Sequence, residues 1–154
     1  MKMYEADKEW VPEATEMEFR DRPLHILLIE DDDAMREMLA ESLRQEGWTV
    51  TECENGFRWL QFCVRESTED TGGDDEDYDV IVSDIRVPGM SGLEVMETLQ
   101  DIDCAESCPP TILITAFGDE ETHRRAKQLG ATIILDKPFA PKELIAGIRT
   151  IAVE

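Results

Sequence analysis

Four short stretches of this 154-residue chain hold the side chains best able to do chemistry: Glu30-Asp31-Asp32-Asp33, Asp84, Thr115-Ala116, and Lys137 ahead of Pro138. Carboxylates brought within a few ångströms of one another raise one another's pKa, so an acidic group of this kind cannot stay fully ionised and unpaired. A hard divalent cation resolves that conflict. Mg²⁺ takes oxygen ligands, keeps several waters and accepts phosphate oxygens, so a carboxylate cluster with open positions suits it, with Mn²⁺ as a substitute. The chemistry therefore depends on whether the elements before these residues bring them to one place.

Each stretch closes or follows a short apolar run. Leu24-His25-Ile26-Leu27-Leu28-Ile29 and Val80-Ile81-Val82 read as strands buried on both faces, as does the run from Thr111 to Thr115. Trp48 to Cys53 and Thr132 to Leu135 complete a set of five strands. Helices fall between them. Met35, Met38, Leu39, Ser42 and Leu43 recur at helical spacing, with Asp32 or Asp33 as N-cap and Gly47 as C-cap. Phe57, Leu60, Cys63 and Val64 mark a second helix, and Leu93, Met96 and Leu99 a third beyond the Pro88-Gly89-Met90-Ser91-Gly92 turn. Asp119 to Leu129 has acids in its first turn and bases in its last, in keeping with the helix dipole. Leu144, Ile145, Ile148 and Ala152 share one face of a last helix.

Five strand–helix units in strict alternation require parallel pairing and right-handed crossovers, which gives an α/β, doubly wound fold with helices on both faces of the sheet. The expected strand order is 2-1-3-4-5. Such sheets bind ligands beyond the carboxyl ends of their strands, where all four stretches fall.

The segments IEDDDAMREML, VIVSDIRVPGMSGLEVM, ILITAF and LDKPF, in this order, resemble the receiver domains of bacterial response regulators, CheY-like proteins of two-component signalling. The likeness runs from about Leu24 to Val153. It implies a domain over 24–154 in which Asp84 takes a phosphoryl group from a histidine kinase or histidine phosphotransfer protein. It also implies that Asp31, Asp84 and the backbone carbonyl of Arg86 bind Mg²⁺, with Glu30 acting through a metal-bound water. Lys137 and Thr115 would contact phosphoryl oxygens, and the Ala116 N–H would add a donor. The family has a cis peptide bond before the proline matched by Pro138. Its usual aromatic switch residue on the fifth strand is here Ile134, which has no ring to swing, so switching would rest more on the loop after Thr115. Arg86 and Phe117 flank the site as bulky residues, which implies slow loss of the phosphoryl group.

The remaining composition narrows the function. Thirty-six acidic against fifteen basic residues give a net charge of −21, which removes the electrostatic basis for direct nucleic-acid binding. No apolar run approaches a membrane span and the N-terminus has no signal core, so a cytoplasmic location is the expectation. Residues 1–23 read as an acidic extension prone to disorder, and Glu66 to Asp77 as a mobile acidic loop without EF-hand spacing. Cys53, Cys63, Cys104 and Cys108 form no CxxC pair and are expected as reduced thiols, with a zinc site disfavoured. With no output module apparent after Ile151, output is expected by contact with a downstream protein or a second copy. The family's contact surface is the fourth helix, fifth strand and fifth helix, here with Arg124, Arg125, Lys127 and Lys142. A piece of a longer regulator is the other reading. A haloacid-dehalogenase-type phosphatase would need an aspartate two residues after Asp84, where Arg86 stands. A third reading is an interaction domain that is never phosphorylated.

Overall fold

The computed structural model describes residues 22–67, 77–86, 90–116 and 119–152. Strand β1 (His25–Ile29) leads into helix α1 (Asp33–Arg44), β2 (Thr49–Cys53) into α2 (Phe57–Ser67), and β3 (Val80–Asp84) into α3 (Gly92–Asp101). A 3-10 turn (Ala105–Ser107) precedes β4 (Thr111–Thr115), followed by α4 (Glu120–Gln128), β5 (Ile133–Asp136) and α5 (Pro141–Ala152). The strands form one parallel sheet in the order β2-β1-β3-β4-β5. This is the order the sequence predicts.

Period-2 alternation divides the apolar strands between two layers. Leu27, Ile29, Ile81 and Leu113 face a core closed by Trp59, Phe62 and Cys63 of α2, Val95, Met96 and Leu99 of α3, and Ala126 of α4. Ile26, Leu28, Val80, Val82, Ile112 and Ile114 face the other, closed by Leu39 and Leu43 of α1 and Leu144, Ile148 and Ile151 of α5. Each such fully buried side chain contributes about 1.5–3 kcal/mol of transfer free energy. Burial on both sides explains why β1, β3 and β4 read as unbroken apolar runs.

Capping fixes where the helices start. Asp32 accepts from the Met35 N–H at 3.0 Å, Ser91 forms a capping box with Glu94, and Asp119 accepts from the Thr122 N–H at 2.7 Å. Gly47, at φ +89°, follows α1 and donates to the Arg44 carbonyl. The left-handed backbone there suits glycine.

Three expectations need correction. Helix α2 does not bury Phe57, which is 50% exposed; the ring sits on the first turn, outside the stripe formed by Trp59, Phe62 and Cys63. Strand β5 runs one residue later than expected, because exposed Thr132 only bridges to β4 through its N–H and the Thr111 carbonyl. The cysteines are not all thiols. Cys63 and Cys108 form a disulfide with Cα atoms 5.2 Å apart, because α2 docks on the connection between α3 and β4. Most of the N-terminal extension and of the acidic loop lies outside the described residues; Arg22 pairs with Asp79 and Asp77 at their edges.

Candidate functional site

Parallel register brings the reactive residues to one rim. Ile29 pairs with Ser83, Asp84 with Ile114, and Thr115 with Asp136, so Glu30, Asp84, Thr115 and Lys137 follow or end neighbouring strands. Asp84 is 6% exposed and Thr115 is 2% exposed. The Lys137 ammonium donates to Asp84 Oδ2 at 2.6 Å, and the Arg86 backbone N–H donates to Asp84 Oδ1 at 2.8 Å. Both carboxylate oxygens are thus held.

Glu30 shares this pocket. It is 2% exposed; its Oε2 accepts from the Asp32 N–H at 3.2 Å, and Oε1 lies 3.6 Å from the Lys137 nitrogen without a hydrogen-bond partner. Burial raises the Glu30 pKa, the Asp32 N–H opposes that, the Asp84 charge adds to it and Lys137 opposes it, leaving it pushed up from 4.5 to about 7. For Lys137, burial works downward, but the hydrogen bond to Asp84 and the charges of Asp84 and Glu30 outweigh it, so its pKa is raised. One amine offsets two buried acids. The buried carboxylates of Glu30 and Asp84 and the orphaned Glu30 oxygen are donors of the kind a hard cation takes.

Asp31 departs from the expected convergence. It is exposed, and among the described residues no three His, Cys, Asp or Glu side chains are gathered in metal-holding geometry. Asp32 is spent on the helix cap and Asp33 pairs with Arg36, while exposed Asp31 directly follows buried Glu30. Lys137 takes the position next to Asp84 that a third acid was expected to share. The Lys137–Pro138 peptide bond is cis, as the resemblance implies. Ala116 follows β4 and is exposed, while Ile134 is half-buried against the α2–α3–α4 core layer. Phe117 lies outside the described residues.

Some supports were not legible beforehand. Arg36 donates to the Glu30 carbonyl at 2.8 Å while pairing with Asp33 and Glu52, so it clamps the acidic loop to β2. The i,i+3 spacing of Asp33 and Arg36 was its only signal. Gly56 packs against the segment after β3: a Cβ there would stand 2.8 Å from the Met90 carbonyl oxygen. The basic residues of α4 are largely engaged within the chain, Arg124 with Glu121 and Arg125 with Glu97 of α3, and His123 lies 2.8 Å from Asp136.

Comparison with known proteins agrees with this fold. The family model described as response regulator receiver domain matches residues 26–149. The transcriptional regulatory protein FixJ of Azorhizobium caulinodans is 35% identical over 127 residues, covering 82% of this chain and 53% of FixJ. The transcriptional regulatory protein CusR of Escherichia coli is 32% identical over 128 residues, covering 83% of this chain and 51% of CusR. The chain thus spans about half the length of the curated relatives it matches. Among solved structures, the non-phosphorylated HemR receiver domain from Leptospira biflexa aligns with a TM-score of 0.63 at 26% identity, over 83% of this chain and 93% of that one. Vibrio cholerae chemotaxis protein CheY4 shares the fold with a TM-score of 0.67 at 24% identity, over 84% of this chain and 98% of that one. Such domains are phosphoaccepting signalling modules rather than classical enzymes. The chain belongs to the response regulator receiver domain family of two-component signalling.

Proposed function

We propose that Asp84 is the phosphoacceptor of this domain and that its phosphorylation alters a protein-contact surface. The observation that carries the reading is the Lys137 nitrogen 2.6 Å from Asp84 Oδ2 in a pocket shared with buried Glu30. An Asp84 oxygen attacks phosphorus, and the bond to the imidazole nitrogen of a phosphohistidine, or to the leaving oxygen of a small acyl phosphate, breaks. Lys137 stays at hand to take a phosphoryl oxygen as the Asp84 charge passes to the adduct, and the Thr115 hydroxyl and Ala116 N–H offer further donors. Glu30, Asp31, Asp84 and the Arg86 carbonyl would hold Mg²⁺ or Mn²⁺, which supplies neutralisation of charge on the transferred group.

The donor is a histidine kinase or histidine phosphotransfer protein, as membership of the family implies. The relatives named above are transcriptional regulators, and the output of this chain, to a downstream protein or a second copy through α4, β5 and α5, is part of the proposal. Among the described residues no helix is long and apolar enough to cross a membrane. A cytoplasmic location, typical of receiver domains, is part of the proposal.

The test is intact mass after incubation with Mg²⁺ and acetyl phosphate. The wild type is expected to gain one phosphoryl group and Asp84→Asn none. An adduct of equal yield on Asp84→Asn would overturn the assignment, and steady phosphate release from many substrates without an adduct would favour an enzyme.

A further inference from the structure

The end of the sheet opposite Asp84 carries a second reactive pair. Cys63 is fully buried in α2, and Cys108 is half-buried just before β4, 45 residues later in sequence. Their Cα separation of 5.2 Å lies within the range a disulfide spans. The two sulfurs differ in access. Cys108, with Pro109, Pro110 and Thr111, lines a cavity of about 370 Å³ that reaches Trp59, one helical turn before Cys63 on the same face of α2. A small thiol or disulfide can approach Cys108 through that cavity, whereas Cys63 is fully buried and does not line it.

We propose that Cys63 and Cys108 are a reversible thiol–disulfide pair, made and broken by exchange with a low-molecular-weight disulfide or thiol at Cys108. In oxidation, the Cys108 thiolate attacks one sulfur of the small disulfide and expels one small thiolate, giving a mixed disulfide. The Cys63 thiolate then attacks Cys108 Sγ and expels the second. The two protons lost by the cysteines end on the two small thiols, so two cysteine thiols are oxidised as one disulfide is reduced. Reduction runs the same steps backward. The bond ties α2 to the 3-10 turn, two segments that also pack on an apolar cluster around Trp59, Leu99 and Cys104. It also encloses the whole of β3, and so Asp84, within its loop.

Closing a loop of this length restricts the unfolded chain, and the expected consequence is a Tm about 10 °C higher in the oxidised protein. The experiment uses the wild-type chain equilibrated with glutathione disulfide or with excess reduced glutathione. Loss of two mass units, a proteolytic fragment linking Cys63 to Cys108, the rise in Tm, and reversal of all three by reduced glutathione are the expected results. Cys108→Ser should abolish the mass loss and the rise while keeping the Tm of the reduced wild type; Cys53→Ser and Cys104→Ser should retain both. A stable mixed disulfide on Cys108 without closure, linkage through Cys53 or Cys104 instead, or equal Tm for the oxidised and reduced wild type would each overturn the proposal. None of these readouts depends on phosphorylation of Asp84.

Discussion

The two ends of the same five strands are built on opposite principles. At the carboxyl end, buried Glu30 and Asp84 share one amine, and the pocket keeps more negative charge than it can neutralise. At the amino end, Trp59, Leu99 and a disulfide join α2 to the start of β4 beside an open cavity. Electrostatics set the stability of the first end, which therefore responds to pH and ions. The second is set by packing and a covalent bond and should ignore both.

Three substitutions or titrations can break this contrast, all read as free energies of unfolding in urea, under EDTA except where Mg²⁺ is added in its place. The largest effect is expected from Trp59→Ala at the packed end, which removes a 1% exposed ring and should cost about 4 kcal/mol, equally at pH 5.5 and pH 8. A strong pH dependence of that loss would show the two ends to be coupled. Next, Lys137→Ala leaves two buried acids without their cation and should cost about 3 kcal/mol at pH 8, with much of it restored by millimolar Mg²⁺. Failure of Mg²⁺ to restore stability would count against the oxygen-ligand reading of the pocket.

The smallest effect comes from Glu30. Its folded pKa, about 7, lies above its unfolded value near 4.5, so the folded protein binds the extra proton. The stabilisation is complete below pH 4.5 and is lost as pH rises through 7. Wild type should lose about 2 kcal/mol between pH 5 and pH 8 from this group, and Glu30→Gln should flatten that part of the profile. An unchanged slope in Glu30→Gln would place the titration elsewhere.

How much of this was readable beforehand follows from the same contrast. The charged end was legible because strand ends are marked in sequence: an apolar run stops and Glu30, Asp84, Thr115 or Lys137 follows. Parallel register then aligns those stops without further information. Helix α2 was harder: of the expected face, Cys63 is buried and Leu60 and Val64 pack at the core's edge, but Phe57 is exposed and only tertiary packing brings in Trp59 and Phe62. The disulfide left no local trace, because its cysteines are 45 residues apart and meet only when α2 lies against the turn before β4. The separate fates of the consecutive acids were also not marked in sequence: Glu30 is buried, Asp31 is exposed and Asp32 caps α1.

One backbone contact limits how the charged end can move. The Lys137 N–H donates to the Thr115 carbonyl at 2.8 Å, directly across from the pairing of Thr115 with Asp136. Lys137 and Thr115 are thereby yoked at the main chain, so a backbone shift at Thr115 carries the root of the amine along with it. Asp136 in turn holds His123 of α4, which puts that helix on the far arm of the same lever.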